Sequence, residues 1–134
     1  LTVDVFYAPG GFGVAKNLSD YAMAGMECSV NPDVLRLSRE VHNDGKPIGV
    51  ICIAPAIMAK ILAGDTELTI GFDEQTASDI DAMGAKHVLC PVDEIVVDKE
   101  KKVVSTPAYM EAQSIKQAAS GIEKLVAEIL KMIK

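Results

Sequence analysis

The 134 residues carry 13 Lys plus Arg against 19 Asp plus Glu, a net charge of −6. With no basic stripe, that balance argues against nucleic acid as a partner, because such binding rests on cations neutralising phosphates. The length suits one domain able to bury about two-thirds of its unfolded surface, and no apolar run approaches the ~20 residues of a membrane span, so a soluble protein with no membrane partner is expected.

Three widely separated cysteines, with no CxxC and no Cys/His ligand pair, predict reduced thiols in the cytoplasm and no metal site. No charged n-region with an apolar h-region precedes the fold, so secretion is unsupported. The sequence opens on Leu1-Thr2 and enters a strand almost at once, without an initiator Met, which reads as a fragment.

Val3 to Ala8 reads as a strand running into Pro9-Gly10-Gly11-Phe12-Gly13, a turn whose glycines permit conformations closed to other residues. A helix from Ala15 to Met23 is expected next. Asn31-Pro32-Asp33 marks a helix start, with Asn as N-cap and Pro at the first helical position, and Gly45 stops that helix. Pro47 to Cys52 is a continuous apolar run, the pattern of a buried parallel strand, and Pro55 dates the following helix start to Cys52 or Ile53. Leu68-Thr69-Ile70 should be a short strand and Asp73 to Met83 a helix ended by Gly84. His87 to Cys90 should be another strand. Ile95 to Asp98 and Lys102 to Ser105 flank a charged tip and predict an antiparallel hairpin. From Ala108 onward, apolar residues at three- and four-residue spacing, interrupted at Ser120-Gly121, predict two consecutive helices or one kinked one.

Alternating strands and helices argue for an α/β doubly wound, mostly parallel sheet of flavodoxin-like type. Ligands in such sheets gather at the carboxyl ends of strands, where Gly10-Gly11 and Cys52 both fall. At a helix N-terminus the Cys52 thiol would meet unpaired N–H groups and the positive end of the macrodipole, both of which favour a thiolate. The N–H of Ile53 and one from Gly10-Gly11 would supply two donors for an oxyanion. Against this stands the common fate of a cysteine ending a strand, which is inert packing. The glycine spacing matches neither GxGxxG nor a P-loop, so no nucleotide cofactor is expected.

The segments Pro9-Gly10-Gly11-Phe12-Gly13, Gly45-Lys46-Pro47-Ile48-Gly49, Cys52-Ile53-Ala54-Pro55-Ala56, His87 to Asp93 and Thr106-Pro107-Ala108-Tyr109-Met110 resemble the ElbB family of the DJ-one/PfpI superfamily. Its members are isoprenoid-biosynthesis (enhancing-lycopene-biosynthesis) proteins with an amidotransferase-like domain. The resemblance runs along essentially the whole chain. It implies a homodimeric flavodoxin-like domain with Cys52 as nucleophile, Gly11 and Ile53 as oxyanion donors and Gly10 lining the pocket. It also implies a cofactor-independent glyoxalase-like lyase activity that turns glyoxal or methylglyoxal into hydroxy acids. The superfamily's partner Glu lies on an earlier strand-to-helix turn, so residues 1–134 would be the C-terminal part of one such domain. The missing N-terminal segment would sit elsewhere in a longer polypeptide or in a separate chain, and the truncated domain would fold poorly, with a strand edge left open.

Where many superfamily members place a His, this chain has Gly71; His87, one unit later, is the remaining candidate. Cys28 could serve as a resolving thiol, Cys90 suits the core, and His42 suits a solvated face. Glu27, Asp93 and Glu94 are the loop acids that could replace the absent Glu. Two rival readings stay open. One is a non-catalytic redox or stress-responsive protein with an oxidisable Cys52; the other is an accessory binding module in isoprenoid metabolism.

Overall fold

The computed structural model describes residues 3–133; Leu1-Thr2, the start read above as a fragment's, lies outside them. A central four-stranded sheet has the order β1 (Phe6–Ala8), β2 (Ile48–Ile51), β6 (Val103–Thr106), β5 (Val96–Asp98). The β1–β2 and β2–β6 pairs are parallel, and β5–β6 is the antiparallel hairpin expected from the sequence. Two short parallel strands, β3 (Glu67–Leu68) and β4 (Lys86–His87), form a second small sheet.

Side chains join the two sheets where a ladder would otherwise run. Asp98 Oδ2 accepts from the Glu67 N–H at 3.0 Å and Ser105 Oγ from the Thr69 N–H at 3.0 Å. Asp98 and Ser105 are buried, as such groups are when their hydrogen bonds are made.

Strand β2 is buried at every position because both of its faces are covered. Ile48 and Val50 face a core built with α3 (Pro32–Asn43), α4 (Ala54–Leu62) and α5 (Glu74–Ala82), centred on Ile57, Met58, Ile70 and Ile80. Ile51 and Val104 face the other side, under Leu125 and Ile129 of α6 (Ile115–Met132). Each fully buried aliphatic side chain contributes about 1.5–3 kcal/mol. Gly49 lies on this second face. A Cβ there would fall 2.8 Å from Tyr7 and 2.9 Å from Leu125, so the glycine lets helix and strand close up.

The sequence-marked helix starts are as expected. Asn31 Oδ1 accepts from the N–H groups of Asp33 and Val34, and Asp73 Oδ2 from that of Thr76. Three expectations change. The single helix from Ala15 to Met23 is two short ones, α1 (Phe12–Lys16) and α2 (Tyr21–Ala24). Buried Ser19 divides them, donating back to the Val14 carbonyl at 3.0 Å and bridging to Val30. The strands around Leu68 and His87 keep two residues each. The C-terminal segment is a short 3-10 turn, Ala108–Met110, followed by one 18-residue helix that continues through Ser120-Gly121 without a break, so two separate helices are not formed there. Gly121 is there for packing, since a Cβ would stand 2.5 Å from the Val92 carbonyl oxygen and 2.6 Å from Thr106 Oγ1.

Among the described residues no helix is long and apolar enough to cross a membrane, and no cluster of three His, Cys, Asp or Glu could hold a metal ion.

Candidate active site

Cys52 stands between β2 and α4 in a left-handed conformation, φ 64°, that β-carbon-bearing residues rarely take. Its N–H donates to the Thr106 carbonyl at 3.1 Å, continuing the β2–β6 ladder one residue past the strand. Ile53 is the N-cap of α4 and Pro55 its second residue, so the helix begins one to two positions after the sequence estimate. The thiol thus sits on a sharp elbow, half-buried, next to a helix N-terminus that has no side-chain cap. A second strained residue follows the neighbouring strand. Ala108, φ 46°, closes the turn after β6, the strand that pairs with β2. Backbone strain of this kind costs about 1–3 kcal/mol per residue and gathers at functional sites.

The Gly10-Gly11 turn comes up against the elbow from β1. A Cβ on Gly10, φ 90°, would lie 2.4 Å from the Ile51 carbonyl oxygen and 2.8 Å from Cys52 Cβ, so glycine is what allows the approach. Gly11 is the N-cap of α1. Gly11, Cys52 and Ile53 then share one open cavity of about 300 Å³ with Phe12, Tyr21 and Met110. Neither the Gly11 nor the Ile53 N–H has a hydrogen-bond partner among the described residues.

The cavity wall is apolar. Its phenol, Tyr21, donates its hydroxyl to Asp79 Oδ2 at 2.7 Å, and burial first, then Asp79, push the phenol pKa well up.

His87 is occupied elsewhere. Its Nε2 accepts the Ile70 N–H at 3.2 Å, which fixes the neutral ring with its proton on Nδ1, and burial lowers its pKa against a weaker opposing pull from Asp81. It is not among the residues lining the Cys52 cavity. Nor are Glu27, Asp93 and Glu94; Glu94 is paired with Lys124. Cys28 and Cys90 are both buried. Burial, opposed by Lys60, raises the Cys28 pKa, and burial followed by Glu94 and Asp93 pushes Cys90 up to about 11. Such thiols are inert, so a resolving role for Cys28 has no support in its placement. His42, expected on a solvated face, is half-buried, and its Nδ1 has no partner among the described residues.

One residue of this edge escaped sequence reasoning. Glu111 fills the space over Gly71, where the family resemblance led one to look for a His. A Cβ on Gly71, φ 99°, would be 2.5 Å from Glu111 Cγ, and Glu111 Oε1 accepts the Phe72 N–H at 2.8 Å. The Ala108 turn places it, since the Ala108 carbonyl accepts from the Glu111 and Ala112 N–H groups. Glu111 is remote from Gly71 in the chain, and no local pattern links them.

Beside β1, which pairs only with β2 among the described strands, runs a second apolar cavity of about 220 Å³. Phe6, Ala8, Leu18 and Val34 line it, with fully buried Ser38, whose Oγ has no partner among the described residues.

No family profile matches the chain. Over 138 residues it is 43% identical to the human glutamine amidotransferase-like class 1 domain-containing protein 3, mitochondrial, covering 96% of this chain and 51% of that protein. It is 41% identical to the rat ES1 protein homolog, mitochondrial, with 96% and 52% covered. Among solved structures, an isoprenoid biosynthesis protein with amidotransferase-like domain from Ehrlichia chaffeensis superposes with a TM-score of 0.85 at 32% identity, covering 97% of this chain and 60% of that one. Drosophila melanogaster DJ-1beta, at 21% identity and a TM-score of 0.57, shares the fold.

The relatives correct one expectation. Cysteine usage pointed to the cytoplasm, whereas the curated relatives are named mitochondrial; free thiols report a reducing milieu, not which compartment supplies it. The chain spans about half the length of those relatives; it is similar in sequence to these glutamine amidotransferase-like and ES1 proteins, and its fold is that of the amidotransferase-like structure.

Proposed function

We propose that this chain carries the nucleophilic half of a cofactor-independent, glyoxalase-like site acting on small dicarbonyls. The observation that carries the reading is the strained Cys52 elbow sharing a cavity with the N–H-bearing residues Gly11 and Ile53. The Cys52 sulfur adds to the aldehyde carbon, forming a C–S bond as the C=O π bond breaks. The oxygen passes through an oxyanion held by the two N–H groups and takes up the proton lost by the thiol, giving a hemithioacetal. A base then removes the hydrogen on that carbon as a proton, giving an enediol; the hydroxyl proton passes from the first oxygen to the second, and reprotonation at the neighbouring carbon leaves a thioester of a 2-hydroxy acid. Water hydrolyses it and restores the thiol. The aldehyde carbon is oxidised and the adjacent carbonyl reduced, so no external oxidant is needed.

The base is a carboxylate in this scheme. Glu111 is this chain's candidate: it is not itself among the residues lining the Cys52 cavity, but it is held over Gly71 and is next in sequence to Met110 of the cavity wall. The rest of the site, and the dimer, are supplied by further polypeptide. Support for this comes from the coverage of about half the relatives' length and from the apolar cavity along the open edge of β1.

Carbon-13 NMR of carbonyl-labelled methylglyoxal with the intact protein tests the first step. A hemithioacetal carbon should appear with the native protein and not with Cys52→Ala, while Glu111→Gln should keep the adduct and lose turnover. An equal adduct in Cys52→Ala contradicts the proposal.

A further inference from the structure

The wall around Cys52 has a definite chemical character. Apart from the thiol and backbone, it is made of Phe12, Ala15, Tyr21, Ala22, Ile53 and Met110, with no charged side chain among the described residues. Its one hydroxyl gives its proton to Asp79 and so has no donor left for a ligand. Apolar surface continues to the rim, where Phe12 is 70% exposed and Tyr109, beside Met110, is 60% exposed. A volume of about 300 Å³ is far more than a two-carbon dialdehyde fills; a closed apolar cavity of about 150 Å³ already holds a benzene ring. A carboxylate or ammonium carried on the substituent that packs against this wall, away from the two N–H groups that hold the reacting oxygen, loses hydration and meets no charged side chain among the described residues.

From this we infer that the pocket selects carbonyl compounds whose second substituent is uncharged and apolar, of branched-alkyl or aryl size. Glyoxal, 2-oxo acids and free amino acids such as glutamine are disfavoured. The inference rests on Cys52 being the attacking group of the proposed function, but it concerns the space beside the thiol and is independent of the steps after addition.

The test is the rate at which Cys52 of the intact protein is alkylated by iodoacetate, iodoacetamide and 2-iodo-N-phenylacetamide, each divided by its rate with glutathione and read by peptide mass. A fitted apolar group is worth about 10- to 200-fold in such pockets, so the phenyl reagent should exceed iodoacetate by at least about tenfold, with iodoacetamide between. Ala22→Lys, on the exposed side of the cavity mouth, should raise the iodoacetate rate about two- to fivefold. Equal normalised rates, or no alkylation of Cys52 by any reagent, overturn the inference.

Turnover of phenylglyoxal against glyoxal separates it from the reading beneath it. Cys52-dependent turnover with equal kcat/KM for the two overturns the selectivity alone. An aryl preference in alkylation without dicarbonyl turnover supports the selectivity and overturns the glyoxalase reading.

Discussion

Gly10 and Cys52 approach so closely that a β-carbon on the glycine would stand 2.8 Å from the Cβ of the cysteine. The turn after β1 is therefore pressed against the elbow after β2, and this brings Gly11 and Ile53 into one cavity with the thiol. Gly10→Ala meets both this contact and the Ile51 carbonyl oxygen at 2.4 Å, at a φ of 90°. The expected cost is about 1–3 kcal/mol in urea unfolding, with Cys52 alkylation slowed because the turn is pushed off the elbow. An unchanged midpoint and rate would show that the contact is slack.

Cys52 holds its conformation at a cost. A left-handed φ of 64° penalises any residue with a β-carbon, and the thiol makes no hydrogen bond that would repay it among the described residues. Cys52→Gly should be about 1 kcal/mol more stable than Cys52→Ala in the same unfolding assay, with both unreactive toward alkylating agents. If the alanine variant is the more stable, the elbow is not strained.

His87 links stability to pH. Burial lowers its folded pKa below the ordinary 6.5, so the unfolded state binds the proton more readily. Stability from this residue is complete above about pH 6.5 and is lost as the pH falls from there toward the folded pKa. Protonation would also turn the Ile70 acceptor into a donor facing a donor. The unfolding free energy should rise with pH across this window in the native protein, and His87→Gln should flatten that slope. A slope retained in the variant would assign it to another group.

Gly121 sets helix propensity against packing. Alanine is about 1 kcal/mol better than glycine in a helix interior, yet its Cβ would stand 2.5 Å from the Val92 carbonyl oxygen and 2.6 Å from Thr106 Oγ1. Thr106 in turn donates to the Glu94 carbonyl at 2.8 Å, so neither neighbour is free to retreat. Packing should win, and Gly121→Ala should lower the thermal midpoint. A rise would mean that α6 shifts at little cost.

Local chemistry announces some parts of this fold and not others. The β2–elbow–α4 unit was legible because an uninterrupted apolar strand, a terminal Cys and Pro55 in a first turn each carry a local rule. The caps at Asn31 and Asp73 were legible for the same reason. Ser19 was not, because its effect comes from a bond to Val14 and a bridge to Val30 that exist only once the chain has folded. Gly121 looked like a helix interruption because its reason, the Val92 and Thr106 backing, lies across the sheet. The site divided in the same way. Cys52, Gly10, Gly11 and Ile53 were readable from two turns, whereas Glu111 over Gly71 and the commitment of His87 to Ile70 depend on tertiary contacts.

The most direct test of Cys52 as the nucleophile is the rate of methylglyoxal consumption by the intact protein, native against Cys52→Ala, with folding of both confirmed by circular dichroism. Loss of turnover to the uncatalysed rate in the alanine variant is the predicted result; equal rates in the two proteins would contradict that role.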